Sequence, residues 1–144
     1  MGQAAAIVLA GLIMASAAQA RLGETRKECI ARYGEPVSDT PVFVTFHSAQ
    51  FSMLIRFADD KAAYIQIWKH DGLKDAALSD QEVLLLLEAN GGGKQWKARS
   101  RPSGEKVWIT EDGERYAIYD DAKRHLTITM KAFVLQMSAP GGAK

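Results

Sequence analysis

The chain contains very little cysteine. Among its 144 residues, Cys29 is the single cysteine. One cysteine cannot form a disulfide within the chain, so the fold has to be held together by its core. We expect Cys29 to be a small buried apolar side chain. Intermolecular pairing or redox chemistry is the alternative.

An excess of charge of one sign is also missing. The chain has 18 Lys and Arg against 17 Asp and Glu, a formal net charge of +1. Nucleic acids and anionic lipids select proteins with a concentrated basic face. The balance therefore argues against nucleic acid or a charged membrane surface as the main partner.

Long apolar runs do not occur after the first 20 residues. The N-terminal segment MGQAAAIVLAGLIMASAAQA has no charged side chain and ends in Ala18-Gln19-Ala20, a pattern that signal peptidase accepts. Its apolar stretch is shorter than the roughly 20 residues that span a bilayer. We predict a cleaved signal peptide at residues 1–20, no transmembrane span after its removal, and a periplasmic or secreted protein. An uncleaved N-terminal anchor is the alternative.

Two segments begin with the signal of a helix start. Thr25 is followed three residues later by Glu28, and Ser79 is followed in the same way by Glu82. This spacing is the capping box, in which each side chain bonds the other residue's backbone. The first helix is predicted to end at Gly34. Because both helices begin with a capping box, the chain could contain a duplicated unit. The strands show no repeat at the residue level, which favours two helix starts of separate origin.

Three glycines, Gly91 to Gly93, follow the second helix and raise the question of a phosphate site. Phosphates bind glycines that precede a helix, where free N–H groups and the positive end of the dipole meet. Here the glycines lie at the negative end. They predict a helix stop, with Gly91 in the left-handed conformation. An apolar stripe of Val83, Leu84, Leu86 and Leu87 predicts that this helix packs on a sheet.

The remaining sequence alternates between apolar and polar residues, as half-buried strands do. FSMLIRF and KAAYIQIWKH flank an Asp59-Asp60 turn, KVWIT and RYAIY flank an Asp-Gly turn, and AKRHLTITMKAFVLQ alternates from Leu126 to Lys131. These patterns predict an α+β domain over residues 21–137. Two short amphipathic helices would pack on one face of an antiparallel sheet of about six or seven strands, and residues 138–144 would form a disordered tail.

Groups with catalytic or metal-binding chemistry are scattered. His47, His70 and His125 lack the spacing of zinc ligands, and Ser103 lacks the surroundings of a hydrolase nucleophile. Pairs of carboxylates occur in predicted turns, where Asp bonds the local backbone. We predict no metal, no cofactor and no catalytic residue, and we regard an enzyme as the less favoured interpretation.

Aromatic residues offer a better candidate site. Trp68, Trp96 and Trp108 fall in three predicted strands, and Tyr64 shares the face of Trp68. With His70 nearby, they could form a flat platform for a sugar or a peptide. The alternative is that the aromatic residues belong to the core beneath a helix.

The segment LGETRKECIARYGEP resembles the start of outer-membrane assembly lipoproteins of the SmpA/OmlA type. The matching residues are Gly23, Thr25, Gly34 and Pro36. The chain departs from that family in having no lipid-attachment cysteine at the cleavage site. The segments LLEANGGGKQW and DGERYAIYD resemble small secreted bacterial proteins of uncharacterised function, and neither resemblance implies an activity or a functional residue.

These observations predict an exported, non-enzymatic interaction module of the cell envelope or the secreted space. Its partner would be an unknown protein or an envelope component. The alternative is a small hydrolase or ligand-binding protein that uses the Trp/Tyr sheet face with a histidine.

Overall fold

The computed structural model describes residues 21–48, 50–70 and 76–138. The predicted signal peptide and residues 139–144 of the predicted tail lie outside this part of the chain. Among the described residues, no helix has both the length and the apolar character that crossing a membrane requires. The elements in chain order are α1 (Arg26–Tyr33), β1 (Ser38–Asp39), β2 (Val44–Ser48), β3 (Phe51–Ala58), β4 (Lys61–Lys69), α2 (Asp80–Asn90), β5 (Trp96–Ser100), β6 (Lys106–Thr110), β7 (Arg115–Asp120), β8 (His125–Met130) and α3 (Lys131–Ser138).

Both predicted capping boxes are present. The hydroxyl of Thr25 accepts from the backbone N–H of Glu28 at 3.2 Å, and the Glu28 carboxylate accepts from the N–H of Thr25 at 2.8 Å. Ser79 and Glu82 make the same pair of bonds, at 3.1 and 2.9 Å. The two boxes fix the first residues of α1 and α2 where the sequence predicted them.

The glycines after α2 stop the helix differently from the prediction. α1 ends at Gly34, as predicted, and this glycine has a positive φ of 87°. Gly91 instead keeps a right-handed φ of −78°, and the positive φ values belong to Gly92 (62°) and Gly93 (79°). Position 91 still requires glycine, because a Cβ there would lie 2.7 Å from the carbonyl oxygen of Lys94. Crowding, rather than a left-handed backbone, makes Gly91 necessary.

The described strands form one antiparallel sheet of eight strands in the order β1-β2-β3-β4-β8-β7-β6-β5. Each half of the described chain runs through one helix and then four consecutively paired strands. The halves join where the last strand of each, β4 and β8, pair side by side, with Ile65 opposite Ile128. The two halves therefore share one topology, although their strands show no residue-level repeat.

The α+β class and the antiparallel sheet are confirmed, and the strand count is higher than predicted. The sequence predicted about six or seven strands, whereas the described residues form eight. The short strand β1, Ser38–Asp39, is paired to Thr45 and Val44. Two residues are too few to show an alternating pattern, so no periodicity could reveal this strand.

The core lies between the sheet and the helices α1 and α2. The alternation predicted for the strands holds, since Met53, Ile55, Ile65 and Ile67 are almost completely buried. The helices add Cys29 and Tyr33 from α1 and Val83, Leu86 and Leu87 from α2. Leu84, which the predicted stripe included, is 60% exposed and is not part of the buried core.

A third helix takes the place of the end of the last predicted strand. The alternating pattern was extended through Lys131, but the strand ends at Met130 and α3 follows directly. Phe133 of α3 lies against Tyr64, at 6.0 Å between ring centroids, and beneath the guanidinium of Arg56. Tyr64 alternates with the buried Ile65, so α3 covers part of the sheet face opposite α1 and α2.

Candidate functional site

The residues singled out in the sequence lie on two faces of the sheet. Trp96 and Trp108 pack against the core on the face that α1 and α2 cover. Tyr64, Trp68 and His70 lie on the opposite face, in alternation with the buried residues of β4. The structure thus brings the two outer tryptophans together and places Trp68 and His70 together elsewhere.

A groove beside α2 is the larger of the two candidate sites. α2 packs on the central strand β8, and a space remains between α2 and the outer strands β5 and β6. The space between them has a volume of about 620 Å³. We name it the Trp108 groove, and its main lining residues are Leu84, Leu87, Trp96, Ala98 and Trp108. A smaller hollow of about 280 Å³ continues past Trp108 towards Leu78 and Tyr119.

Small neighbours hold the two tryptophans in place. Trp108 lies between Ala98 on β5 and Ala117 on β7 in the antiparallel register, and these short side chains leave room for its indole. Trp96 is fixed by a hydrogen bond from its Nε1 to the carbonyl oxygen of Leu87, at 2.5 Å. That bond also satisfies a carbonyl in the last turn of α2 that has no partner within the helix. The groove is therefore preformed and mostly apolar, as ligand and peptide sites commonly are.

Basic side chains cluster along the outer strand β5 and its flanking turns. Between positions 94 and 106 the chain has five basic residues and one acidic residue, a net of +4, in a protein whose whole formal charge is +1. All of the basic residues are exposed. We name this segment the basic edge, and its cations are Lys94, Lys97, Arg99, Arg101 and Lys106.

A row of polar and aromatic residues crosses the opposite face. His47 is opposite Ser52, and Ser52 is opposite Trp68. The Trp68 ring stacks on His125 at 4.9 Å between centroids, and His125 is opposite Asp120. We name these residues the histidine row. It extends across five strands, from β2 to β7.

His70 lies over one end of the histidine row. Its Nδ1 is 3.0 Å from the hydroxyl oxygen of Ser52, and its ring meets His47 edge-on at 4.4 Å between centroids. The three histidines of the chain are therefore gathered on one sheet face. The sequence separated them by more than 20 residues each, and only the strand register brings them together.

Burial changes the titration of His125. Desolvation lowers the pKa of its imidazole, and the charge of Lys123 lowers it further, while Asp120 acts in the opposite direction. Its Nδ1 is buried and has no hydrogen-bond partner among the described residues. The neutral form of His125, stacked on Trp68, is the form that the fold favours.

The histidine row lacks the features of a hydrolase site. Ser52 is only 3% exposed, so its hydroxyl cannot meet a substrate carbonyl, although a histidine lies within hydrogen-bonding distance. Within the part of the chain that the structure describes, no group of three or more His, Cys, Asp or Glu is arranged to hold a metal ion. The Ser52–His70 contact therefore acts as a structural hydrogen bond.

The Trp108 groove has a different set of lining side chains. Its described lining residues include no histidine, cysteine or serine. The charged groups at its rim, among them Asp80, Glu88 and Lys94, face solvent. The arrangement suits binding of an apolar group, with charged groups at the rim to orient it.

Sequence reasoning named Trp96 and Trp108 but could not place them in a groove. Two signals were present in the sequence: the run of basic residues from Lys94 to Lys106, and four consecutive leucines in α2, of which Leu84 and Leu85 are exposed in the structure. Both acquire meaning only once the strand order shows that β5 is an edge. The partners of His70 in the histidine row were missed because they are distant in the sequence.

Comparison with known proteins gives little further information. No family model matches the chain, and no curated protein matches it. Among solved structures, it is similar to a cysteine-rich secretory protein from Staphylococcus aureus subsp. aureus Mu50, with 8% sequence identity and a TM-score of 0.47. The match covers 85% of this chain and 50% of that one, so this chain spans about half of its length.

Proposed function

We propose that the chain is an exported, non-enzymatic binding protein that receives an apolar group of a partner in the Trp108 groove. The observation that carries the proposal is the groove itself: about 620 Å³ between α2 and the β5–β6 hairpin, walled by two tryptophans and two leucines. Buried aromatic anchors in preformed apolar pockets supply most of the energy of protein recognition. The enclosing elements are a helix and a sheet, so little ordering accompanies binding.

Two further observations support binding over catalysis. Leu84 is 60% exposed and Leu85 is 45% exposed in a helix whose other large apolar residues, Val83, Leu86 and Leu87, are buried. Exposed large apolar residues beside a groove are typical of an interaction surface. The described lining residues of the groove also include no serine, cysteine or histidine, the side chains of the common hydrolase nucleophile–base pairs.

Selection of peptides from a random display library against the mature chain tests the groove. We expect enrichment of peptides that carry a large apolar residue, and a change in the tryptophan fluorescence of the chain when they bind. Leu84→Asp should abolish their binding, because it places a charge in the apolar wall. Leu135→Asp is the matched control, since Leu135 on α3 is also 60% exposed but lies away from the groove.

The outcome that contradicts the proposal is equally specific. If selected peptides bind Leu84→Asp as well as the parent chain, the Trp108 groove is not the site. If they instead lose binding on Trp68→Ala, the histidine row is the site, and the ligand-binding alternative replaces the proposal.

Export has its own test. Ala18 and Ala20 fit the pockets of signal peptidase, so the mature protein is expected to begin at Arg21. N-terminal sequencing of protein recovered from its native compartment measures this directly. An intact Met1 in a membrane fraction would contradict cleavage and support an N-terminal anchor.

A further inference from the structure

The strand β5 forms a long open edge of the sheet. Among the described residues, β5 pairs with β6 on one side and with no strand on the other. Its five residues, Trp96–Ser100, are largely exposed. The opposite edge, β1, has only two residues. An open edge presents unpaired backbone N–H and C=O groups, which can pair with another strand.

The two faces of β5 have different chemistry. Trp96 and Ala98 point to the helix side and line the Trp108 groove. Lys97 and Arg99 alternate with them, point to the other side, and form no ion pair with a described residue. A strand added beside β5 would therefore meet an apolar groove on one face and free cations on the other.

We propose that β5 receives an extended acidic peptide as a ninth strand of the sheet. Backbone hydrogen bonds would join the peptide to the open edge at the usual spacing of about 4.8 Å. Alternate apolar side chains would enter the Trp108 groove beside Ala98 and Trp108, and the intervening carboxylates would face Lys97 and Arg99. This inference rests on the proposed function and names the class of partner that the groove accepts.

Charge decides between this partner and a second copy of the chain. Pairing of β5 with β5 of another copy would bring Lys97 and Arg99 close to the same cations of the copy, and like charges on neighbouring strands destabilise a sheet. The same cations attract a strand that carries Glu or Asp. Positive residues on an edge are a known protection against self-association, and here they leave the edge open to an acidic strand.

A synthetic peptide provides the probe. We would use a fluorescein-labelled, end-capped octapeptide of alternating Val and Glu and measure its binding to the mature chain by fluorescence anisotropy. We expect saturable binding that weakens with added salt. A matched peptide with Lys in place of Glu, and one N-methylated at the amides that face β5, should each bind at least about tenfold more weakly.

Charge-reversal variants locate the site on the chain. Lys97→Glu combined with Arg99→Glu should weaken binding of the Val/Glu peptide by at least about tenfold. The matched control is Lys27→Glu combined with Lys61→Glu, which reverses two exposed lysines away from β5 and should leave binding unchanged. Far-UV circular dichroism of each variant confirms that the fold is intact.

The outcomes separate this inference from the proposed function. Suppose that Leu84→Asp abolishes peptide binding, but that the N-methylated peptide and the Val/Lys peptide bind the parent chain as well as the Val/Glu peptide does. The proposed function then stands, and strand addition is wrong. If Leu84→Asp changes no peptide's binding, the proposed function itself is wrong. Strand addition is also overturned if the octapeptide does not bind and Lys97 and Arg99 serve another partner. That partner would be a second copy if the double reversal abolishes dimerisation in sedimentation velocity, and a nucleic acid if it abolishes binding of a single-stranded oligonucleotide.

Discussion

Cys29 shows how a side chain's surroundings decide its chemistry. The thiol is fully buried where α1 meets the sheet. Burial raises its pKa to about 12, and the carboxylates of Glu24 and Glu28 act in the same direction, against the opposing charges of Arg32 and Arg26. The reactive form of cysteine is the thiolate, which is almost absent here at neutral pH.

We therefore expect Cys29 to react very slowly with a thiol reagent in the native protein. Labelling should become fast once denaturant unfolds the chain, because the pKa then returns to its ordinary value. Mass spectrometry of timed samples with and without denaturant measures both rates. Rapid labelling in the native state, or a disulfide-linked dimer on a non-reducing gel, would support redox chemistry or pairing between copies instead.

We expect the stability of the protein to fall at mildly acidic pH because of His125. Its pKa in the folded state is lowered, first by burial and then by Lys123, while Asp120 opposes the change. At pH values between the ordinary pKa of about 6.5 and the lower pKa of the folded state, the His125 imidazole is more protonated in the unfolded chain than in the folded one. The stability contributed by neutral His125 is therefore complete above about pH 6.5 and is lost as the pH falls through the folded pKa.

Denaturant midpoints at several pH values between neutral and mildly acidic test this expectation. The parent chain should lose stability on acidification, and His125→Gln, which cannot be protonated in this range, should lose less. Equal losses in the two proteins would show that His125 does not carry the effect. The sequence contained His125 but gave no reason to expect its stacking on Trp68, since the residues are 57 positions apart.

Elements with a local signal were predicted well, and elements without one were not. The helices α1 and α2 begin at capping boxes that four adjacent residues define, so sequence alone located them. α3 was missed because Leu126 to Met130 alternate as a strand and the apolar residues continue into the helix without a break. Its own spacing, with Phe133 and Met137 four residues apart, was the available signal.

In α2, helical periodicity alone gave the wrong set of buried residues. Leu84 and Leu87 are three residues apart and were assigned to one stripe, yet Leu84 is 60% exposed and Leu87 is 2% exposed. Asn90 is completely buried instead, where its side-chain oxygen accepts from the N–H of Leu22 at 2.7 Å. A buried amide with a distant backbone partner cannot be recognised from helical spacing.

A pair of alanine substitutions on α2 separates the two roles. Leu87→Ala should lower the free energy of unfolding by about 2–5 kcal/mol, because it removes buried apolar surface and leaves a cavity. Leu84→Ala, the control on the same helix, should change it by less than about 0.5 kcal/mol. Urea denaturation followed by circular dichroism measures both. Similar losses for the two variants would mean that the outer side of α2 is also packed.

For the whole molecule, the fold class could be predicted but the site could not. Alternation and turn signals act over a few residues and gave an antiparallel α+β fold. The Trp108 groove depends on β5 being an edge and on α2 lying over β8, and both follow from the order of strands. Strand order is a long-range property, and two four-stranded halves can be joined in several ways with the same local patterns.

The joining of the halves carries the last prediction. β4 and β8 meet at the centre of the sheet, and Ile65 and Ile128, paired across the junction, are both completely buried. Contacts between halves include the ion pair of Lys69 with Glu82 at 2.9 Å. Each buried aliphatic side chain contributes about 1.5–3 kcal/mol, so a separated half would lose much of its core and expose an apolar central strand.

We therefore expect fragments 21–70 and 76–144 to be unfolded when each is prepared alone. Mixed together, they should recover the circular dichroism and the tryptophan emission of the intact chain, because the β4–β8 pairing and the shared core can form again. The intact chain should unfold in a single transition by both signals. A fragment that folds alone, or two separate transitions in the intact chain, would show that the halves are independent units and that the shared core adds little to either.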